Sequence, residues 1–216
     1  MPHEILDAIR GGDSARVREI LAADPETAQA HDAQGVSAIL LALYHRASEA
    51  LDLLLEAQPT LDVFEAAALG RSDALRRALR ENPSNVAARA GDGFTPLHLA
   101  CFFGHFDAVD LLIDSGADVN VPADNPSAVR PLHSAAAGGN AEIVSQLLRN
   151  GASVNARQTG GHAALHNAAQ AGNLDMARRL LDHGADPDMD NDDGNSPLAL
   201  AREHGHVELV DLLEGN

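Results

Sequence analysis

The chain has 216 residues, 45% of them apolar but only six aromatic and none tryptophan, with 32 acidic against 15 basic side chains and a formal net charge of −17. That length allows one or two globular domains or one repeat array, with a core of small and aliphatic side chains. The charge argues against a basic face for nucleic-acid backbones or anionic membranes and permits a basic protein partner; the lone Cys101 excludes an internal disulfide framework.

The opening segment MPHEILDAIRGGD has no basic stretch leading into an apolar run. The expectation is a chain without a signal peptide, kept in the cytoplasm. No apolar run approaches the roughly 20 residues that span a bilayer. Instead the sequence repeats itself, and a search at periods of 20–50 residues is decisive.

Seven apolar anchors can be aligned: Ile5, Ile39, Val63, Leu97, Leu132, Leu165 and Leu198, at spacings of 34, 24, 34, 35, 33 and 33. The first copy (3–34) surrounds an Ile/Leu stripe with Arg and Asp and reads as an N-terminal cap. The second (35–58) carries Arg46 where other copies have glycine, so its first helix is expected to end differently. The third (59–92) follows after only 24 residues. Its QPTLD segment (58–62) leaves no room for a projecting loop, which predicts one missing finger and a local notch in the surface. In the fourth (93–126), Thr95 is placed as an N-cap and Pro96 in the first helical turn. Gly104 then stops the helix in the left-handed conformation. The 35-residue spacing before Leu132 holds NVPADNPSAVR, with two prolines and two extra residues, and predicts a longer, stiffer finger before the fifth copy (127–160). The sixth copy spans 161–193. The seventh (194–216) shows a polar outer face, Glu203, Glu208, Asp211 and Glu214, suited to a terminal cap.

Four columns test this register. Three after each anchor stands alanine in all seven copies: Ala8, Ala42, Ala66, Ala100, Ala135, Ala168 and Ala201. Seven after comes glycine, with Arg46 the exception. Twelve and fifteen after come aliphatic residues that share one face of a second helix. Ten after, six copies carry a carboxylate near that helix's start, which complements the helix dipole by roughly 0.3–1 kcal/mol each. The second helix is expected to stop at Gly116, Gly151 or Gly184. The alanines are expected to let neighbouring copies approach closely, since one helix pair cannot bury its apolar face alone.

These motifs resemble the ankyrin repeat. The likeness is strong in Thr95-Pro96-Leu97-His98 and Ser196-Pro197-Leu198, good in Arg130-Pro131-Leu132-His133, and partial in Ala163-Ala164-Leu165-His166. It survives only as a pattern in Ser37-Ala38-Ile39 and Asp62-Val63-Phe64. The resemblance implies an all-α fold, an ankyrin-type α-solenoid of about seven helix-turn-helix repeats over 1–216, with finger loops projecting from one side and one finger missing.

Several residues invite a chemical reading that the repeat plan absorbs. His98, His133 and His166 share one repeat position, and the resemblance implies that they tie loop to helix start. His105 and His206 share another and read as structural. His204-Gly205-His206 has no convergent carboxylates or cysteines to complete a metal site. In DMDNDDG, Asp188, Asp190 and Asp192 have calcium-loop spacing, but Asp193 stands at the sharp-turn glycine position and Ala199 at the bidentate glutamate position, so the segment reads as a finger. Cys101 beside Ala100 reads as a small core residue rather than a nucleophile. The GG pairs lack the pattern of a phosphate-cradling loop. No catalytic residue, metal ligand or cofactor is assigned.

The resemblance also implies that partners touch the finger tips and the exposed end of each first helix. Tyr44, Phe94, Phe102 and Phe103 fall at such positions, four of the six aromatics, and exposed aromatics are typical anchors of an interface. His45, Val129, His162, Gln170, Glu203 and His204 are expected to line the same concave face, with Gln34, Val36 and Asn195. The alternative for Phe102 and Phe103 is packing against a neighbouring repeat. The functional expectation is a monomeric, non-catalytic protein-interaction module that offers a concave acidic surface with an aromatic centre. The alternatives are an inhibitor or antidote that covers a basic site on a toxin or nucleic-acid enzyme, a self-associating structural protein, or an enzyme on a repeat scaffold.

Overall fold

The anchors of the second and third copies start short helices because a capping side chain precedes them and an apolar face follows. Ser37 accepts a hydrogen bond from the Leu40 amide (3.2 Å), and Asp62 accepts from the amides of Phe64 and Glu65 (both 2.8 Å). The computed structural model describes residues 2–215, and among them fourteen α-helices form seven antiparallel pairs. These are α1 (Pro2–Arg10) with α2 (Ser14–Ala23), α3 (Ala38–Tyr44) with α4 (Ser48–Glu56), and α5 (Val63–Ala68) with α6 (Ser72–Glu81). Then follow α7 (Pro96–Phe103) with α8 (Phe106–Asp114), α9 (Pro131–Ala137) with α10 (Ala141–Arg149), α11 (Ala164–Ala171) with α12 (Leu174–Asp182), and α13 (Pro197–Glu203) with α14 (Val207–Glu214). First helices pack on first helices throughout the stack, and second on second except at the step from α4 to α6, where contact is sparse.

The alanine column lies in the seam. From Ala42 to Ala201 its members are 0–1% exposed, and Ala8 in the terminal pair is 8% exposed. A methyl side chain there lets consecutive first helices meet closely, while Leu54, Leu112, Leu147 and Leu180 of the second helices fill the outer part of the core. A second tie crosses three of the seams at the residue eight after the anchor. His105 Nε2 donates to the Ala68 carbonyl (2.9 Å), Asn140 Nδ2 to that of Cys101 (3.0 Å), and His206 Nε2 to that of Gln170 (3.1 Å). These side chains satisfy carbonyls that the end of the preceding helix leaves open.

Two features depart from expectation. Arg46 does not force a different helix end: it adopts the left-handed conformation itself (φ 53°), as Gly104 does (φ 82°). Gln58 does the same (φ 53°) where Gly116 stands in the fourth copy. A non-glycine residue pays roughly 1–2 kcal/mol for that geometry. Arg46→Gly is therefore expected to stabilise the chain by about 1 kcal/mol once the greater freedom of glycine in the unfolded chain is subtracted. A thermal melt should rise by roughly 2–4 °C; an unchanged or lower midpoint would show that Arg46 makes a compensating contact. In addition, α2 and α6 stop not at glycine but at Asp24-Pro25 and Asn82-Pro83, each opening a 3₁₀ turn (Pro25–Gln29 and Pro83–Ala87).

The missing finger is present as an absence. After α4 the chain passes through 57–62 into α5, where Asp62 and Glu65 form a capping box that starts the helix at once. The expected notch, however, is closed. The finger that leads into α3 meets the one that leads into α7, so closely that a β-carbon on Gly91 would lie 1.8 Å from the Gln34 carbonyl oxygen. Val36 and Leu40 of the second copy join Leu99 of the fourth in one buried cluster across the short α5. The finger between α8 and α9 carries its two extra residues. Its neighbours bond to it on both sides, with Asp124 N–H to the Gly93 carbonyl (2.9 Å) and Thr159 N–H to that of Ser127 (3.0 Å).

Candidate functional site

The closing of the notch builds the most distinctive surface of the molecule. With the second and fourth copies in contact, the C-terminal ends of α3 and α7 come side by side. The Tyr44 ring stacks on Phe103 at 6.1 Å between centroids, and Phe103 meets Phe102 edge-on at 5.1 Å. Phe94, on the finger, sits 5.6 Å from the His98 ring. Tyr44 donates its hydroxyl to Asp92 Oδ2 (2.6 Å). Burial, and then the adjoining Asp92 carboxylate, push the Tyr44 phenol well above its usual range, so the hydroxyl stays a donor.

The sequence placed four aromatics on the binding face, and they divide into two roles. Phe94 and Phe103 are half-buried and pack against the Val36, Leu40, Ala68 and Leu99 cluster, filling space beside the short α5. Phe102 (41% exposed) and Tyr44 (36% exposed) keep substantial apolar area in solvent. Beneath them opens a hollow of about 360 Å³ lined by Tyr44, Phe94, Leu99, Phe102, Val129 and Ala137, with His98, His133, Ser134, Gln158 and Asn167. No carboxylate lines it. The acidic side chains around it belong to the fingers, Asp92 among them.

The hollow continues into a broader, more polar depression of about 600 Å³ between Gln158, His162, Asn167 and Gln170. There the Asn191 side-chain Nδ2 lies 3.2 Å from His162 Nε2. Val129, His162 and Gln170 thus stand along one groove with the aromatics. His45, Glu203 and His204 are exposed but line neither hollow. His204 Nδ1 is tied to the Leu200 carbonyl (2.9 Å), and its ring stacks beside His206.

The floor of the groove is held by the repeated histidines. The Thr95 and Arg130 amides donate to Nδ1 of His98 (3.3 Å) and His133 (3.0 Å). Each imidazole therefore carries its proton on Nε2, which donates to the next finger: His98 to the Val129 carbonyl (3.0 Å), His133 to that of Ala156 (2.9 Å). His166 takes the Ala163 amide in the same way (3.1 Å), but its buried Nε2 reaches no acceptor in hydrogen-bond geometry. Burial lowers the pKa of His98 and of His133 from the ordinary 6.5 to about 4. The rings are neutral braces between finger and helix.

Cys101 is fully buried and burial pushes its thiol up, away from a reactive thiolate. The 188–194 segment is a finger: Asn191 Oδ1 accepts from the amides of Asp193 (3.0 Å) and Asn195 (2.9 Å). Among the described residues no group of three or more His, Cys, Asp or Glu is arranged to hold a metal ion, and no helix is long and apolar enough to cross a membrane.

Sequence reasoning missed Leu99, Ser134 and Asn167, which line the hollow from two positions after their anchors. The signal was internal. That column changes from leucine to serine to asparagine between copies, while the anchor stays leucine and the position after Leu99 and its equivalents stays alanine.

Comparison with known proteins adds to this geometry. A family model described as "Ankyrin repeats (3 copies)" matches residues 63–158 and 132–215. The chain is similar to "Ankyrin repeat domain-containing protein 49" of Homo sapiens, 41% identical over 66 residues, which cover 31% of this chain and 28% of that protein. It is similar to "Ankyrin repeat and SAM domain-containing protein 6" of Mus musculus, 44% identical over 84 residues, covering 36% and 10% respectively. It is also similar to "Serine/threonine-protein kinase TNNI3K" of Mus musculus, 44% identical over 55 residues, covering 26% and 7%. The chain thus spans less than a third of each of these relatives, and the kinase likeness is confined to the repeat region.

Proposed function

Because the chain belongs to the ankyrin-repeat family, whose repeats generally mediate protein–protein interaction and generally carry no catalysis, we propose that it is a non-catalytic module gripping one protein partner in the groove between its fingers and first helices. The observation that carries this reading is the pair of exposed rings, Tyr44 and Phe102, over an apolar hollow in a chain with only six aromatics. The hollow takes an apolar side chain of the partner. Gln158, Asn167 and Gln170 offer hydrogen bonds further along. The fingers and the net charge of −17 favour a basic surface around the inserted residue and faster encounter at low salt. The rigidity of a preformed groove reduces the ordering cost of binding. The expected compartment is the cytoplasm and the expected state a monomer.

The same charge favours a more specific version, in which the partner is a toxin or nucleic-acid enzyme whose basic site the groove covers. Such a partner would lose its activity when bound.

The test is affinity capture from the native host at low and high salt, followed by calorimetry on the purified pair. Phe102→Ala should weaken binding roughly tenfold, as expected for a central aromatic anchor, and raised salt should weaken it further. Equal affinity for Phe102→Ala, Tyr44→Ala and the unaltered chain would remove the groove as the binding site.

A further inference from the structure

On the other side of the stack, the row of second helices carries a feature that the groove does not explain. The 3₁₀ turns after α2 and α6 each leave a small hollow against the next second helix. At the first, Arg18, Leu21, Ala22, Pro25, Leu53 and Ala57 surround about 250 Å³ together with Glu56. At the second, Arg76, Leu79, Arg80, Pro83, Leu111 and Ser115 surround about 160 Å³. The two occupy the same repeat positions, but their charge differs.

In the first hollow the one arginine is already paired, Arg18 with Glu49 at 3.1 Å, and Glu56 lines the wall. In the second, Arg80 stands where the first has Ala22, and Ser115 where it has Ala57. Arg76, Arg77 and Arg80 are all exposed and, among the described residues, make no ion pair or hydrogen bond. The carboxylates of α8 nearest in the repeat register, Asp107 and Asp114, do not pair with them. Three unpaired guanidinium groups on one helix are conspicuous in a chain with 32 acidic and 15 basic residues. Between Arg76 and Arg80 the floor is aliphatic, with Leu79 buried and Leu111 and Pro83 beside it.

We infer that this hollow is a second docking site, taking an acidic segment of another protein that inserts an aliphatic side chain between two carboxylates. The guanidinium groups pair with the carboxylates, bidentately where geometry allows, and the leucine floor receives the side chain. The net charge of −17 disfavours such a segment over most of the surface, and the cluster of three arginines beside an aliphatic floor favours α6. The site is independent of the groove and lies on the opposite helix row. A chain with both would hold a basic partner on one side and an acidic one on the other.

The probe is a fluorescein-labelled Glu-Glu-Leu-Leu-Glu-Glu peptide, titrated with the full chain by fluorescence anisotropy at low salt. Saturable binding is expected, weakened roughly tenfold or more by the double variant Arg76→Glu/Arg80→Glu. Arg18→Glu, at the equivalent hollow, should leave it unchanged. Both variants change exposed residues, and far-UV circular dichroism checks that each keeps its helices. No binding of the peptide, equal binding by the double variant, or loss of binding in Arg18→Glu would overturn the assignment. So would equal affinity for hexaglutamate or for inorganic phosphate, which would make the hollow a simple anion trap.

Discussion

Lowering the pH from 7 to 5 is expected to cost the chain about 4 kcal/mol of stability through two side chains alone, His98 and His133. Both have folded-state pKa values near 4, against 6.5 when unconstrained. A depressed histidine means that the unfolded chain binds protons more readily. The loss therefore begins as pH falls through 6.5 and is complete below about 4. Over the two pH units above 5 each ring contributes about 2 kcal/mol. The direction has a structural cause. Nδ1 must remain a bare acceptor for the Thr95 or Arg130 amide, and a proton there would face an N–H donor. Burial also lowers the pKa of His166 and adds to the loss. Glu65 works the other way: burial raises its pKa, so its neutral form gains stability as pH falls. Urea titrations at pH 7, 6 and 5 measure the sum. His98→Gln should lower stability at pH 7 and flatten the pH dependence, because an amide can brace the finger without titrating. A pH profile as steep in His98→Gln as in the unaltered chain would assign the acid sensitivity to other groups.

The repeat plan was readable because a helix pair of fixed length returns each side chain to the same environment, so one chain supplies seven trials of every position. The alanine column could be found at Ala8, Ala42 and Ala66, where no motif is visible, because a seam between helices tolerates little else. Where one repeat contacts another out of turn, that logic fails. The contacts of Gly35 with Gly91 and of Leu40 with Leu99 bring the fingers before α3 and α7 together across α5, and no column records them. The notch was therefore expected and a closed cluster found. The positions of Arg46 and Gln58 were legible, but not that arginine and glutamine would accept the glycine conformation rather than reroute the chain. The 3₁₀ turns were signalled by Asp24-Pro25 and Asn82-Pro83, where an Asx side chain caps a proline-led turn. On the groove, Tyr44 and Phe102 followed from their place in the repeat. Their division from Phe94 and Phe103 did not, because burial of those two depends on how far α5 is shortened.

Ala135→Leu is the most damaging single exchange expected within the stack, at about 3 kcal/mol. Ala135 is fully buried on α9, with α7 on one side and α11 on the other. Three added carbon atoms have no void to enter, and overpacking of this kind typically costs 1–3 kcal/mol, occasionally more. The upper end applies because the strain has two seams to disturb. In a linear array stability is close to a sum of repeat and nearest-neighbour terms, so widening both seams of a central repeat weakens two couplings at once. Ala8→Leu is the matched control. It makes the same chemical change in the same column, but Ala8 is 8% exposed and α1 packs against one neighbouring first helix, α3. Its cost should be about 1 kcal/mol or less. Urea unfolding followed by far-UV circular dichroism compares the two, and Ala135→Leu is also expected to broaden the transition as the two halves uncouple. If both variants unfold at the same urea concentration, the column is not a pair of shared seams, and the stacking that brings Tyr44, Phe94 and Phe102 around one hollow must be held by other contacts.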